Sequence, residues 1–139
     1  MKKRIFAVVR PVVSIQLYEA DTVKMYCVMG HTKARMLHLD GPHELEEVPA
    51  TAKCESTYAD GLYTHTITYR IGQPEAELLE EYIRLSLIPA VVVFRNRSGR
   101  RMTIGSPSYP ARLGVVDTGS GAQVTITAAS RYPVLVYMR

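Results

Sequence analysis

From Ala90 onward the chain reads as short β-strands divided by turn chemistry, and no other feature restricts its fold as much. Ala90-Val91-Val92-Val93-Phe94-Arg95 is a β-branched run. Asn96-Arg97-Ser98-Gly99 interrupts it, and Arg100-Arg101-Met102-Thr103-Ile104 resumes it. Gly105-Ser106-Pro107-Ser108-Tyr109-Pro110 is a stiff loop, Asp117-Thr118-Gly119-Ser120-Gly121 a flexible turn, and Val124-Thr125-Ile126-Thr127 alternates strictly. Turn and strand signals this dense, with no group placed for chemistry, describe a scaffold or assembly module.

The first half adds strands and one helix. Val13, Ile15 and Leu17 alternate onto one face of residues 12–18, and Glu19–Thr22 forms a short connection. Val23, Met25, Cys27 and Met29 then alternate against Lys24 and Tyr26, so the two segments are expected to form a hairpin with that apolar set inward. Residues 31–39 fit either a strand or a short helical turn, stopped by Asp40-Gly41-Pro42. Leu62–Ile71 is the clearest strand. Tyr63, His65, Ile67, Tyr69 and Ile71 share one face, and Asp60-Gly61 marks the turn from a partner strand in residues 51–58.

The helix is expected at about 74–88. Pro74 suits the first helical position, and Glu75 and Glu77 sit where the helix dipole favours anions. Leu78, Leu79, Tyr82, Ile83 and Leu87 make an apolar stripe, with Leu79 and Ile83 expected against the sheet. Glu80 precedes Arg84 by four residues, and Pro89 ends the segment. A single helix cannot cross over between several parallel strands. The expected fold is therefore α+β, mainly antiparallel β in a sandwich or partly closed barrel with that helix packed on the sheet.

One domain, residues 1–139, suits this length. Lys2-Lys3-Arg4 followed by Ile5–Val9 imitates an export signal, but Arg10-Pro11 ends the apolar run well short of the roughly seven to fifteen residues such a signal needs. No stretch approaches the roughly 20 apolar residues of a membrane span. The expectation is a protein made in the cytoplasm and kept off the membrane. Two cysteines, Cys27 and Cys54, match no disulfide framework and are expected as buried thiols.

Constellations for chemistry are sparse. Cys27 and His31, then His38 and His43, with Cys54 beyond, match a zinc-site spacing only loosely, and alternation with Val23, Met25 and Met29 already accounts for Cys27, so no metal or other cofactor is expected. There is no Gly-x-Ser-x-Gly elbow; Glu46-Glu47 and Glu80-Glu81 are adjacent carboxylates, the second pair on the solvated face of the helix; and Gly119-Ser120-Gly121 lacks the Lys of a phosphate loop. An enzyme with a small-molecule substrate is the least favoured class. The basic cluster is more informative. Arg95, Arg97, Arg100 and Arg101 flank one hairpin tip, with Arg112 further along, and the net charge is +4. These arginines are the candidate partner-binding residues, toward phosphate backbone or an acidic protein surface. The plainer reading is a solvated tip whose charge protects a sheet edge. Without interleaved aromatics, nucleic acid is not favoured.

Val91–Phe94, a polar turn ending in Gly99, the stretch Met102–Pro110 and Gly121–Thr127 together resemble small proteins encoded in prophage-like and mobile regions of Bacteroides-type gut bacteria. The resemblance spans about residues 90–135 and implies a virion or tail component without catalytic residues. It leads to a non-enzymatic structural subunit of the tail or head–tail joining type, acting by self-association or docking on other virion-type proteins, assembled into a virion or tail-like particle. The alternative is a binding module for nucleic acid or an acidic protein through the arginine hairpin. Pro133–Tyr137, an apolar strand, is expected at a sheet edge open to pairing.

Overall fold

The structure, a computed structural model, describes residues 4–45, 48–73 and 75–138, with backbone alone for Arg4, Ile5 and Phe6. Pro74, the Glu46-Glu47 pair and the Lys2-Lys3 start of the export-like segment lie outside the described residues. The elements in chain order are β1 Arg4–Val9, β2 Val12–Glu19, a 3-10 turn Ala20–Thr22, β3 Val23–Met29, β4 Lys33–His38, β5 His43–Glu44, β6 Lys53–Ala59 and β7 Leu62–Ile71. Then come helix α1 Ala76–Leu85, β8 Ala90–Asn96, β9 Arg101–Ile104, β10 Arg112–Asp117, β11 Ala122–Ser130 and β12 Leu135–Met138.

Two sheets face each other. One has five strands in the order β1-β6-β7-β11-β10, the other seven in the order β3-β4-β12-β9-β8-β2-β5. All pairings are antiparallel except β12 with β4. β7 behaves as its alternation requires: His65, Ile67, Tyr69 and Ile71 are buried, and β6 and β11 flank it. Cys54 on β6 and Val124, Ile126 and Ala128 on β11 extend the same inner face. Ile15, Leu17, Val92, Phe94, Met102 and Ile104 meet it from the seven-stranded sheet. Each such side chain, fully buried, contributes roughly 1.5–3 kcal/mol through removal of apolar surface from water. Gly121 lets β11 start beside β7, because a Cβ there would stand 2.2 Å from the carbonyl oxygen of Ile71.

The seven-stranded sheet curls strongly, and chain connectivity explains why. β2 and β3 are joined by three residues but are separated in the sheet by β8, β9, β12 and β4. Five inter-strand spacings across a flat sheet measure roughly 24 Å, whereas a link from Glu19 to Val23 reaches at most about 14 Å. The sheet must therefore bend until its two ends approach. Its concave side holds a second core of Tyr18, Val23, Met36, Val91 and Val93, with Tyr26 and Tyr137 packed against it.

Several expectations are corrected here. β2 and β3 do not form a hairpin: β2 pairs with β8 and β5, and β3 pairs with β4. A register shift between Val12 and Ser14 buries Val12 and turns Val13 outward. A similar shift between Val23 and Met25 reverses β3, so Met25, Cys27 and Met29 are exposed while Tyr26 turns toward the second core. Cys54 is the buried thiol, pushed up to about 12 by its burial, whereas Cys27 is on the surface. The strand at 133–137 is not an edge, since β12 lies between β4 and β9.

The helix packs as expected but through a different stripe. Tyr82 and Leu85 are buried with Leu78 against the core, at i+4 and i+7 from Leu78. Ile83 is 49% exposed and Leu79 only half-buried. Leu87 lies beyond the last helical residue and is exposed. Arg84 pairs with Glu81, one residue nearer than the expected Glu80. The hydroxyl groups of Tyr69 and Tyr82, 2.6 Å apart, tie the helix to β7.

Candidate functional site

The arginine hairpin is formed as expected, by β8, β9 and the turn between them. Asn96 closes that turn by accepting backbone N–H bonds from Gly99, on its carbonyl oxygen, and from Arg100, on Oδ1. Arg95 and Arg101 stand directly opposite each other across the two strands. Arg95, Arg97 and Arg100 are exposed, and among the described residues no carboxylate forms an ion pair with them. Arg101 is half-buried: its guanidinium lies 4.8 Å from the Tyr137 ring centre and donates to Gln16 Oε1 at 3.3 Å. Gln16 in turn donates to Glu44 at 2.7 Å. Edge protection does not explain these charges, because β8 and β9 are both interior strands.

Arg112 does not join them. Its neighbour Ala111 bridges Ala90, the first residue of β8, whereas the hairpin tip follows the last. The strand between spans about 20 Å at 3.3 Å per residue.

The loosely spaced Cys/His set is dispersed. Cys54 is in the main core, His38 lies against the Tyr18 ring, His31 against Tyr132, and His43 contacts Glu19 at 3.1 Å. No three His, Cys, Asp or Glu side chains converge among the described residues.

Two features escape the sequence patterns. One is the outer face of the β3–β4 hairpin. Met25 opposes Leu37, Cys27 opposes Arg35, and Met29 opposes Lys33. Met25 and Leu37 are 57% and 58% exposed, and Leu39 continues the apolar surface. β3 is paired on one side only, so its backbone groups are open along the other. No residue of β3 or β4 belongs to the core between the two sheets, and this face is uncovered.

The other feature is a cavity of about 500 Å³ between β3, the loop after β9 and the segment leading into β12. Tyr26, Thr103, Ser106, Tyr109 and Ser130 bring hydroxyl groups to it, and Lys24 and Arg131 bring charge. Burial pushes the Tyr26 phenol up to about 12, partly offset by the Thr103 hydroxyl, so it is neutral at physiological pH. His65 forms part of the wall. Its Nε2–H donates to the Tyr132 carbonyl at 3.0 Å, which leaves Nδ1 to accept from Ser56 Oγ at 2.8 Å. Burial lowers the His65 pKa and keeps the ring neutral. Ser56 is itself only 1% exposed, so this pair is a satisfied core contact with no access for a substrate. The stiff Gly105–Pro110 loop was legible in sequence, but nothing in the pattern linked it to Lys24 or Arg131. Compared with known protein families, curated proteins and solved structures, the chain matches none.

Proposed function

We propose that this protein is a non-enzymatic assembly subunit that associates with further copies of itself through the open edge of β3. The carrying observation is the uncovered β3–β4 hairpin. A free strand edge alternates donors and acceptors and complements a second such edge across a two-fold axis. Met25, Met29 and Leu37 would then continue from one copy to the next as one apolar surface. Natural proteins ordinarily blunt such edges with charge, proline or a cover. Here Arg35 and Lys33 are the only charges paired across from β3 on that face. The virion-type resemblance of residues 90–135 agrees with an assembling role.

Sedimentation over a range of protein concentrations tests this. Discrete dimers or larger assemblies are expected, and Met25→Glu with Leu37→Glu should abolish them while leaving the fold intact, since both sites are exposed. A chain that stays monomeric at millimolar concentration, or assembles equally well as the double variant, overturns the proposal.

A second reading rests on the arginine hairpin. Like charges placed directly opposite on interior strands are destabilising, and Arg95 and Arg101 carry that cost with two further exposed arginines, Arg97 and Arg100, at the tip. An anionic partner would offset it. Arg97→Ser with Arg100→Ser should leave the melting temperature within about 1–2 °C, because surface charges contribute little to stability. Duplex DNA binding that weakens steeply with salt and vanishes in this variant would favour this reading over assembly.

A further inference from the structure

We infer that the cavity between β3, the Gly105–Pro110 loop and residues 130–133 binds a small hydroxylated organic anion, a sugar acid or sugar phosphate in size and chemistry. This site borders the assembly edge, since Lys24 and Tyr26 lie on β3, and it includes none of the hairpin arginines. Its volume of about 500 Å³ falls within the range of small-ligand pockets, roughly 300–1,000 Å³.

The lining selects the ligand's charge. Lys24 and Arg131 are both cationic, and no Asp or Glu contributes to the wall. Among the described residues neither cation has a carboxylate partner. The lining also selects the ligand's body. The hydroxyls of Tyr26, Ser106, Tyr109 and Ser130 can each donate and accept, the requirement set by a ligand that is itself rich in hydroxyl groups.

The walls are built before any ligand arrives. Within the loop, Ser106 N–H donates to the Tyr109 carbonyl at 3.1 Å and Tyr109 N–H donates to Ser106 Oγ at 3.1 Å. Gly105, at φ +81°, brings the loop so close to the Ala90–Ala111 bridge that a Cβ would lie 3.0 Å from two backbone atoms. On the opposite wall, Tyr132 N–H donates to Ser130 Oγ at 3.0 Å and the Tyr132 carbonyl is held by His65. A preformed pocket avoids the ordering cost that a mobile one would take from affinity.

Titration calorimetry with glucuronate, glucose 6-phosphate, neutral glucose and inorganic phosphate tests this. One of the two anionic sugars is expected to bind with one-to-one stoichiometry, and which one binds tighter identifies the anion as carboxylate or phosphate. Glucose should bind at least about tenfold more weakly, the loss that one charge-assisted hydrogen bond represents. Lys24→Gln and Arg131→Gln should each weaken binding by a similar factor with the free protein's melting temperature unchanged, as both residues are exposed. Absence of binding by both sugars at millimolar concentration overturns the proposal. Inorganic phosphate binding as tightly as glucose 6-phosphate, or both variants binding like the parent, overturns it too, since the ligand would then be held elsewhere or without the pocket.

Discussion

β7 and β3 carry the same kind of pattern and do opposite things with it. In β7 the alternating residues His65, Ile67, Tyr69 and Ile71 point into the core as their spacing implies. In β3 the alternating Met25, Cys27 and Met29 point out, and Tyr26 points in. Alternation fixes that two faces differ; it does not fix which one is covered. β7 is central, flanked on both sides and roofed by the opposite sheet, so burial follows hydrophobicity. β3 is an edge strand with a register shift near its start, and a single extra residue exchanges the faces.

The largest expected difference lies between Ile67→Ala and Met25→Ala. Ile67 is fully buried between the sheets, so its truncation should cost about 2–5 kcal/mol in denaturant unfolding. Met25→Ala should change stability by no more than about 0.5 kcal/mol. Similar losses at the two sites would mean that the outer face of β3 is covered in solution. Tyr69→Phe should cost less, about 1–2 kcal/mol, because it removes one hydroxyl of the buried pair with Tyr82 and leaves the ring in place. A neutral result would show that helix α1 is held by its apolar contacts alone.

The smallest effect is in pH. The His65 pKa is lowered below its ordinary 6.5 by burial, so below that pH the unfolded chain binds a proton that the native ring resists. Stability is present above about pH 6.5 and declines as the pH falls through it. The melting temperature should show this acid-side slope, and His65→Gln should flatten it. On the alkaline side, Tyr26 stays neutral up to about 12, above its ordinary 10.0, so stability should decline as pH rises from about 10 toward 12.

The sequence was most readable where local chemistry and burial agree. The turn at Asp60-Gly61, the pairing of β6 with β7, the β8–β9 hairpin and the helix all follow from patterns a few residues long. Distant pairing did not. Nothing within residues 12–29 reveals that β2 will pair with residues 90–96, or that β3 will take residues 33–38 as its partner. The helix face was displaced by one residue, to Leu78, Tyr82 and Leu85, because Leu79 and Ile83 satisfy helical spacing equally well. The arginine tip was legible because charge density needs no tertiary context. The cavity was not, since Lys24, residues 105–109 and Arg131 converge only through the curl of the sheet.

The position of β12 has a kinetic consequence. Val136 sits opposite Lys33 on one side and Met102 on the other, so this strand joins two segments and pairs with one made about a hundred residues before it. Until it inserts, the sheet exists as two fragments: the β3–β4 hairpin, and the group of β9, β8, β2 and β5. Each fragment presents a bare edge, and closing a loop of that length ranks among the slower steps of folding. The vacant slot accepts any strand of the right pattern, including β12 from another copy. High concentration during refolding should therefore trap strand-exchanged species, a hazard set by topology rather than by the stability of the finished fold.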